Sequence, residues 1–252
     1  MTLRLRRLAL PALALGLLAG TPAPASGQAA LLVLLFGDKV ASDNFYFSLK
    51  VGGNFSKLSG LDDTKFAAGL NFGLLATIRL NDQWYIEPEF APLSKKGSRD
   101  IAYVPSGSSE LDALLDPPDD ARINLNYIDV PVLVKYQASE RLRVGTGPQI
   151  GYLTSGTNQY DRTYERTGGE DDLRYQQGSQ TQFNSWDFGW AFEAAATLWD
   201  ARDGEGLVIH TRYVLGLSDV IENNPGDAIT NSTVQIFASF PFIKSGDDED
   251  GS

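Results

Sequence analysis

The chain has 252 residues, with 32 Asp and Glu against 21 Lys and Arg, and a formal net charge of -11 at pH 7. Such acidity argues against nucleic acid as a partner, since phosphate binding requires a basic surface. The absence of cysteine excludes disulfides, thiolate metal sites, a cysteine nucleophile and a lipoprotein anchor.

Residues 1–29 read as a secretory signal peptide. Arg4, Arg6 and Arg7 form its basic start, residues 8–20 are apolar, and residues 21–29 are small and rich in Ala and Pro, with cleavage expected near Ala25 or Ala29. Residues 30–44 form an N-terminal segment whose apolar run at 29–36 is too short to cross a bilayer as a helix. It is expected to be a short helix at the periplasmic mouth of a barrel built from residues 45–243.

From residue 45 to 243 the pattern changes to a period of two, the spacing of a strand with one apolar face. In 45–55, Phe45, Phe47, Leu49, Val51 and Phe55 alternate with Tyr46, Ser48, Lys50 and Asn54. The same alternation predicts strands at 66–80, 84–94, 127–136, 142–153, 186–199, 207–217 and 234–242. Each is close to the ~9–11 residues that cross a bilayer when tilted. The connections at 81–83, 139–141 and 201–205 are short, whereas those at 56–65, 95–126, 154–185 and 218–233 are longer and polar. Short turns at one end and long loops at the other are the rule for outer-membrane barrels. Residues 244–252 carry Asp247, Asp248, Glu249 and Asp250 and read as an acidic, disordered tail.

The two faces differ sharply. The apolar face is rich in aromatics and almost free of charge. The other carries Lys50, Arg79, Lys135, Arg143 and Arg212 against Glu87, Glu89, Asp129, Asp187 and Glu193, with the only histidine, His210, beside them. A lipocalin-like barrel would bury the apolar face, but a small cavity has no room for so many Phe and Trp. The prediction is therefore an all-β fold: one antiparallel up-and-down transmembrane barrel of about eight strands, apolar face to lipid and charges in the lumen. Trp84, Tyr136, Trp199 and Phe242 at one end, and Phe55, Phe66, Tyr152 and Trp186 at the other, form two aromatic bands at headgroup level. Balanced lumen charges are expected to pair and to plug so narrow a barrel.

Signals for chemistry are weak. His210 points inward with no His-x-Ser motif near it and reads as a satisfied lumen residue. Glu87 and Glu89 share a face, but among basic neighbours they read as structural. The Glu170-Asp171-Asp172 run lacks calcium-loop spacing, and Gly145-Thr146-Gly147 lies inside a strand rather than before a helix. No catalytic, cofactor or metal site is predicted.

Three segments carry a family likeness. Leu125 to Tyr136 reads Leu-Asn-Tyr-Ile-Asp-Val-Pro-Val-Leu-Val-Lys-Tyr. Trp84 to Gly97 opens Trp-Tyr-Ile-Glu-Pro-Glu-Phe and ends Lys-Gly, and Gly145 to Leu153 reads Gly-Thr-Gly-Pro-Gln-Ile-Gly-Tyr-Leu. In this order they resemble the PorT-like outer-membrane β-barrel family, common in Bacteroidota. The resemblance implies a small antiparallel barrel, with one member linked to protein secretion, and carries over no catalytic residues. Alternating Phe240 and Phe242 look like a barrel assembly signal, although Phe237 stands where Gly is usual.

The combined expectation is a non-enzymatic barrel of the outer membrane with both termini in the periplasm. Its role is structural, binding or accessory to secretion; the alternatives are a lipid-modifying enzyme or a narrow pore. Its partners are expected to be outer-membrane lipids and lipopolysaccharide, the barrel assembly machinery, periplasmic chaperones, and secretion-system or surface proteins.

Overall fold

A computed structural model describes residues 45–61, 63–166, 169–178, 182–199 and 206–242. The signal, the 30–44 segment, the 201–205 turn and the acidic tail lie outside the described residues. Nine strands and one helix occur within them: β1 (Phe45–Ser59), β2 (Lys65–Arg79), β3 (Trp84–Arg99), α1 (Ser109–Leu115), β4 (Asp120–Gln137), β5 (Leu142–Arg166), β6 (Gly169–Gly178), β7 (Trp186–Trp199), β8 (Leu207–Gly216) and β9 (Thr230–Phe242). No described helix is long and apolar enough to cross a membrane.

Every pairing is antiparallel, in the order β4-β3-β2-β1-β9-β8-β7-β5, and the β4–β5 pairing closes the ring. Eight strands make the barrel; β6 pairs with the outer part of β5 alone. A hydrogen-bonded row shows the tilt. It runs Tyr127, Ser94, Asn71, Gly52, Phe237, His210, Ala195, Arg143 and returns to β4 at Gln137, well below its start. That stagger tilts the strands and fixes the bore of a narrow barrel.

The faces sort as the alternation requires. Phe72, Phe90, Val132, Ile150, Phe188, Trp190, Phe192 and Phe240 are exposed on the outer wall, while Ser48, Lys50, Asn71, Glu87, Gln149 and Arg212 are buried in the lumen. This is the reverse of a soluble protein and matches a solvent that is hydrocarbon outside. Trp84 stacks near Tyr136 at the short-turn end, and Tyr152 near Trp186 toward the other, with ring centroids 5.1 Å apart in each pair.

The predicted long loops at 95–126 and 154–185 are corrected. β3 continues to Arg99, β4 begins at Asp120, and β5 and β6 form a hairpin that projects past the rest of the barrel. The segment Tyr175 to Gly178, inside the predicted 154–185 connection, is part of β6, and Tyr175 packs on a cluster of Leu115, Ala121 and Tyr160. The helix α1 covers the inner face of this extension. Its N-cap Ser108 accepts from Leu111 N, and Leu115 is its buried anchor.

Candidate functional site

The lumen is the site that the strands build. Two ion-pair clusters occupy it at different heights. In the lower one, Arg212 on β8 donates to Glu193 Oε2 through Nε at 2.7 Å and to Glu89 Oε2 through Nη1 at 3.0 Å. Lys50 Nζ lies 2.9 Å from the same Glu89 Oε2. Lys135 donates to both Glu87 and Glu193, and Thr77 Oγ1 donates to Glu87 at 3.1 Å. Three cations thus face three carboxylates, all buried. Unpaired charge in so dry a space costs several kcal/mol, so pairing with full hydrogen bonding is what lets these residues sit there.

His210 completes this cluster. Its Nδ1 lies 2.8 Å from Glu193 Oε1 and its Nε2 2.8 Å from Ser239 Oγ, and its ring stacks on Phe237 at 4.3 Å. Lys50 Nζ stands 4.0 Å over the Phe237 ring as well, so Phe237 is a cation–π platform in the lumen. Gly52 faces it: a Cβ there would meet Phe237 Cβ at 2.3 Å. The bulky ring, unexpected in sequence, occupies the space that the glycine leaves.

The upper cluster centres on Lys96, which sequence reading missed. Lys96 Nζ lies 3.0 Å from Asp129 Oδ1 and 3.2 Å from Asp187 Oδ2. Asn231 Nδ2 donates to Asp187 Oδ2 at 2.9 Å, and Lys96 stands 4.6 Å over the Tyr127 ring. A register shift between Ala91 and Ser94 explains the omission. Strict alternation from Glu87 and Glu89 would turn Lys96 outward. The bulge at Pro92 and Leu93 changes the parity, so Ser94, Lys96 and Ser98 face in. The Pro inside this strand was the available signal.

Two predicted lumen charges stand at the short-turn end, outside both clusters. Arg79 sits at the short-turn rim, 36 % exposed, bound to Asp82 at 2.6 Å, because β2 ends there and no carboxylate among the described residues reaches inward to it. Arg143 is half-buried at the same end. It donates to Gln137 Oε1 at 2.7 Å and Tyr46 at 3.2 Å and lies 4.5 Å over Tyr85, with no carboxylate partner among the described residues.

The opposite mouth is capped by apolar packing. Phe183 and Val220, from two connections, pack with Leu58, Ile123, Leu125, Tyr127 and Leu153, and a bridge joins Phe183 to Ile221. Asp219 anchors this cap. Burial alone would raise its carboxyl, but Ile221 N, Asn224 and Ile229 N donate to it and hold it below the ordinary range. Within α1, Asp112 accepts from Ser106 and Tyr103 and is held low by those bonds, while burial and the bond to Asp112 push Tyr103 up to about 12.

Two arrangements resemble chemistry. Glu87, Glu193 and His210 bring ligand atoms within 4.8 Å of one another, but Lys135 already supplies the cation between the two carboxylates. Ser239, His210 and Glu193 form a Ser-His-carboxylate line. Arg212 and Lys135 also hold that Glu193, and Ser239 is buried. A pocket of about 290 Å³ spans β2 to β6, lined by Ala68, Lys95, Asn124, Asn126, Gln159 and Gln176 among others.

A family model described as outer membrane protein beta-barrel domain matches residues 39–222. No curated relative matches the chain. Among solved structures, the attachment invasion locus protein Ail of Yersinia pestis is similar at 14% identity, with 80% of this chain and 100% of Ail covered and a TM-score of 0.41. Neisserial surface protein A is similar at 13% identity, covering 78% of this chain and 96% of that one, with a TM-score of 0.38. OprG from Pseudomonas aeruginosa is similar at 12%, covering 79% and 93%, with a TM-score of 0.37.

Proposed function

The chain belongs to the outer membrane protein β-barrel domain family, and we propose that within it this is a sealed, non-enzymatic barrel that acts through its extension and loops. The short-turn end, with both termini, faces the periplasm, and the β4–β5–β6 extension faces outward. The observation that carries this reading is the contrast between the ends and the middle. The lumen is filled by paired charges and capped by Phe183 and Val220, whereas the extension offers a polar pocket and long strands beyond the lipid band. Binding surfaces on such barrels sit on loops held by a rigid scaffold.

Its lipid-facing partners are outer-membrane lipids and lipopolysaccharide, and its assembly partners are the barrel machinery and periplasmic chaperones. The motifs at 84–97, 125–136 and 145–153 support the finer PorT-like assignment and a role beside secretion. A clean deletion followed by secretome and envelope-lipid profiling tests this. Loss of secreted proteins with unchanged lipids is the expected result; altered lipid A with an intact secretome overturns it.

The Ser239-His210-Glu193 line favours one second reading, a lipid-modifying or ester-cleaving enzyme. Its burial opposes that reading. A fluorophosphonate probe should leave Ser239 unlabelled in the folded protein; labelling abolished by Ser239→Ala would establish the enzyme instead.

A further inference from the structure

Between the two ion-pair clusters the lumen has a polar layer, closed on the β7–β8 side by the buried Ala191 and Val214. Asn71 Oδ1, Asp129 Oδ2, Gln149 Oε1, Thr233 Oγ1 and Gln235 Oε1 are buried there, and no donor among the described residues reaches them. Their residues are each no more than 3 % exposed and all face inward. Such groups are rare in folded proteins, because each loses its hydration without replacement. Five on one stretch of the lumen call for a common cause.

The register places four of the five at one height. Once the slope of the hydrogen-bonded rows is taken out, Asn71, Asp129, Gln149 and Gln235 fall within about one residue rise, ~3 Å, of one height. Asp129 pairs with Gly151, and Gln149 is the next inward residue along β5, so the two are same-face neighbours. On the other side Gln235 pairs with Asn54, which accepts from Asn71 Nδ2 at 2.8 Å. That bond fixes the Asn71 amide and leaves its Oδ1 turned away. Thr233 lies one inward step above Gln235 on β9. Gly189, paired with Gln149, adds no side chain.

Charge points the same way. Asp129 and Asp187 share the single ammonium of Lys96, so the upper cluster holds one carboxylate more than cations. Lys96 takes Asp129 Oδ1, which leaves Oδ2 for the layer. The lower cluster is balanced and draws nothing from it: Arg212 and Lys50 are bound to Glu89, and Arg212 also to Glu193. Water would bring two donors per molecule, so five acceptors would need several ordered waters and the charge would stay. A hard cation with carboxylate and amide oxygens satisfies both, the ligand chemistry of calcium or sodium.

We propose that this lumen layer is a cation site, in which Asp129 Oδ2, Asn71 Oδ1, Gln149 Oε1, Thr233 Oγ1 and Gln235 Oε1 hold a hard metal ion directly or through water. With the mouth capped by Phe183 and Val220, the ion enters as the barrel closes and acts as an internal staple rather than an exchangeable ligand.

The test is refolding of the full chain into detergent micelles with terbium(III) as the probe, removal of free metal on a desalting column, and measurement of retained metal and of sensitised emission. Wild type should retain one equivalent, with excess calcium during refolding competing it out. Asp129→Asn and Gln149→Leu should each lower retention at least tenfold while still giving the heat-modifiable band of a folded barrel. Gln149→Leu removes no charge and so keeps the test valid if Asp129→Asn misfolds. No retained metal in folded wild type, or retention equal to wild type in both folded variants, overturns the proposal; the latter would assign the metal to the acidic loops or tail.

Discussion

Glu193 has the most hydrogen-bond partners of any residue in the lower cluster. It receives Arg212, Lys135 and His210 at once. Its removal leaves two buried cations short of a counter-charge, and breaking a buried pair from one side costs about 3–5 kcal/mol. Glu193→Leu should therefore lower stability by about that amount, read as a shift in urea midpoint with the gel-shift assay of folding. The double variant Glu193→Leu, Arg212→Met should recover much of the loss, because a pair replaced by apolar groups of similar size is close to neutral. Equal loss in single and double variants would show that the pairing carries no weight. Seven of the charged lumen positions read from sequence, namely Lys50, Glu87, Glu89, Asp129, Lys135, Asp187 and Glu193, are buried where alternation put them, as are His210 and Arg212. Alternation assigns a face and nothing more. It carries no height, so it could not say that Arg79 and Arg143 stand at the rim, or which acid each base meets.

At the scale of elements, the bulge in β3 decides the upper cluster. Deleting Leu93 removes the extra residue, so strict alternation then carries Ser94, Lys96 and Ser98 inward without a bulge; deleting Lys95 keeps the bulge, turns Lys96 to the outer wall, and leaves Asp129 and Asp187 unpaired in the lumen. Leaving buried carboxylates without their cation costs several kcal/mol. The Leu93 deletion should therefore reach the folded band, whereas the Lys95 deletion should fail to; the reverse outcome would refute the role given to the bulge. The α1 cover depends on Asp112 instead. Its carboxyl is held low first by the Ser106 hydroxyl and then by Tyr103. A depressed carboxyl contributes stability above its ordinary value of 3.8 and loses it as pH falls through the lower folded value. The Ser106 amide should thus be strongly protected from deuterium exchange at pH 6, relative to its unstructured rate at the same pH, and progressively less protected below about pH 4. No protection at any pH would show that the cap is not formed. The extension itself was hidden from the sequence because its strands lie beyond the lipid band. Their outward residues, such as Arg122, Asn124 and Asp161, meet water rather than hydrocarbon, so the apolar alternation that marks the wall fades there.

For the whole molecule, period-two alternation and its near absence of charge on one face were enough to give a closed antiparallel barrel with a polar lumen. The strand count in the wall is eight because β6 joins the edge of β5 and not the ring. The proposed closing of the bore rests on three layers: Arg143 with Tyr46 and Tyr85 at one end, the two ion-pair clusters in the middle, and the Phe183–Val220 cap at the other. A narrow pore would need a continuous wetted path past all three. The most direct measurement is the current across a planar lipid bilayer holding the refolded full-length barrel, with insertion verified by protease protection. A sealed lumen predicts no stepwise conductance at any holding voltage. Steady ohmic steps from the folded wild type would contradict it.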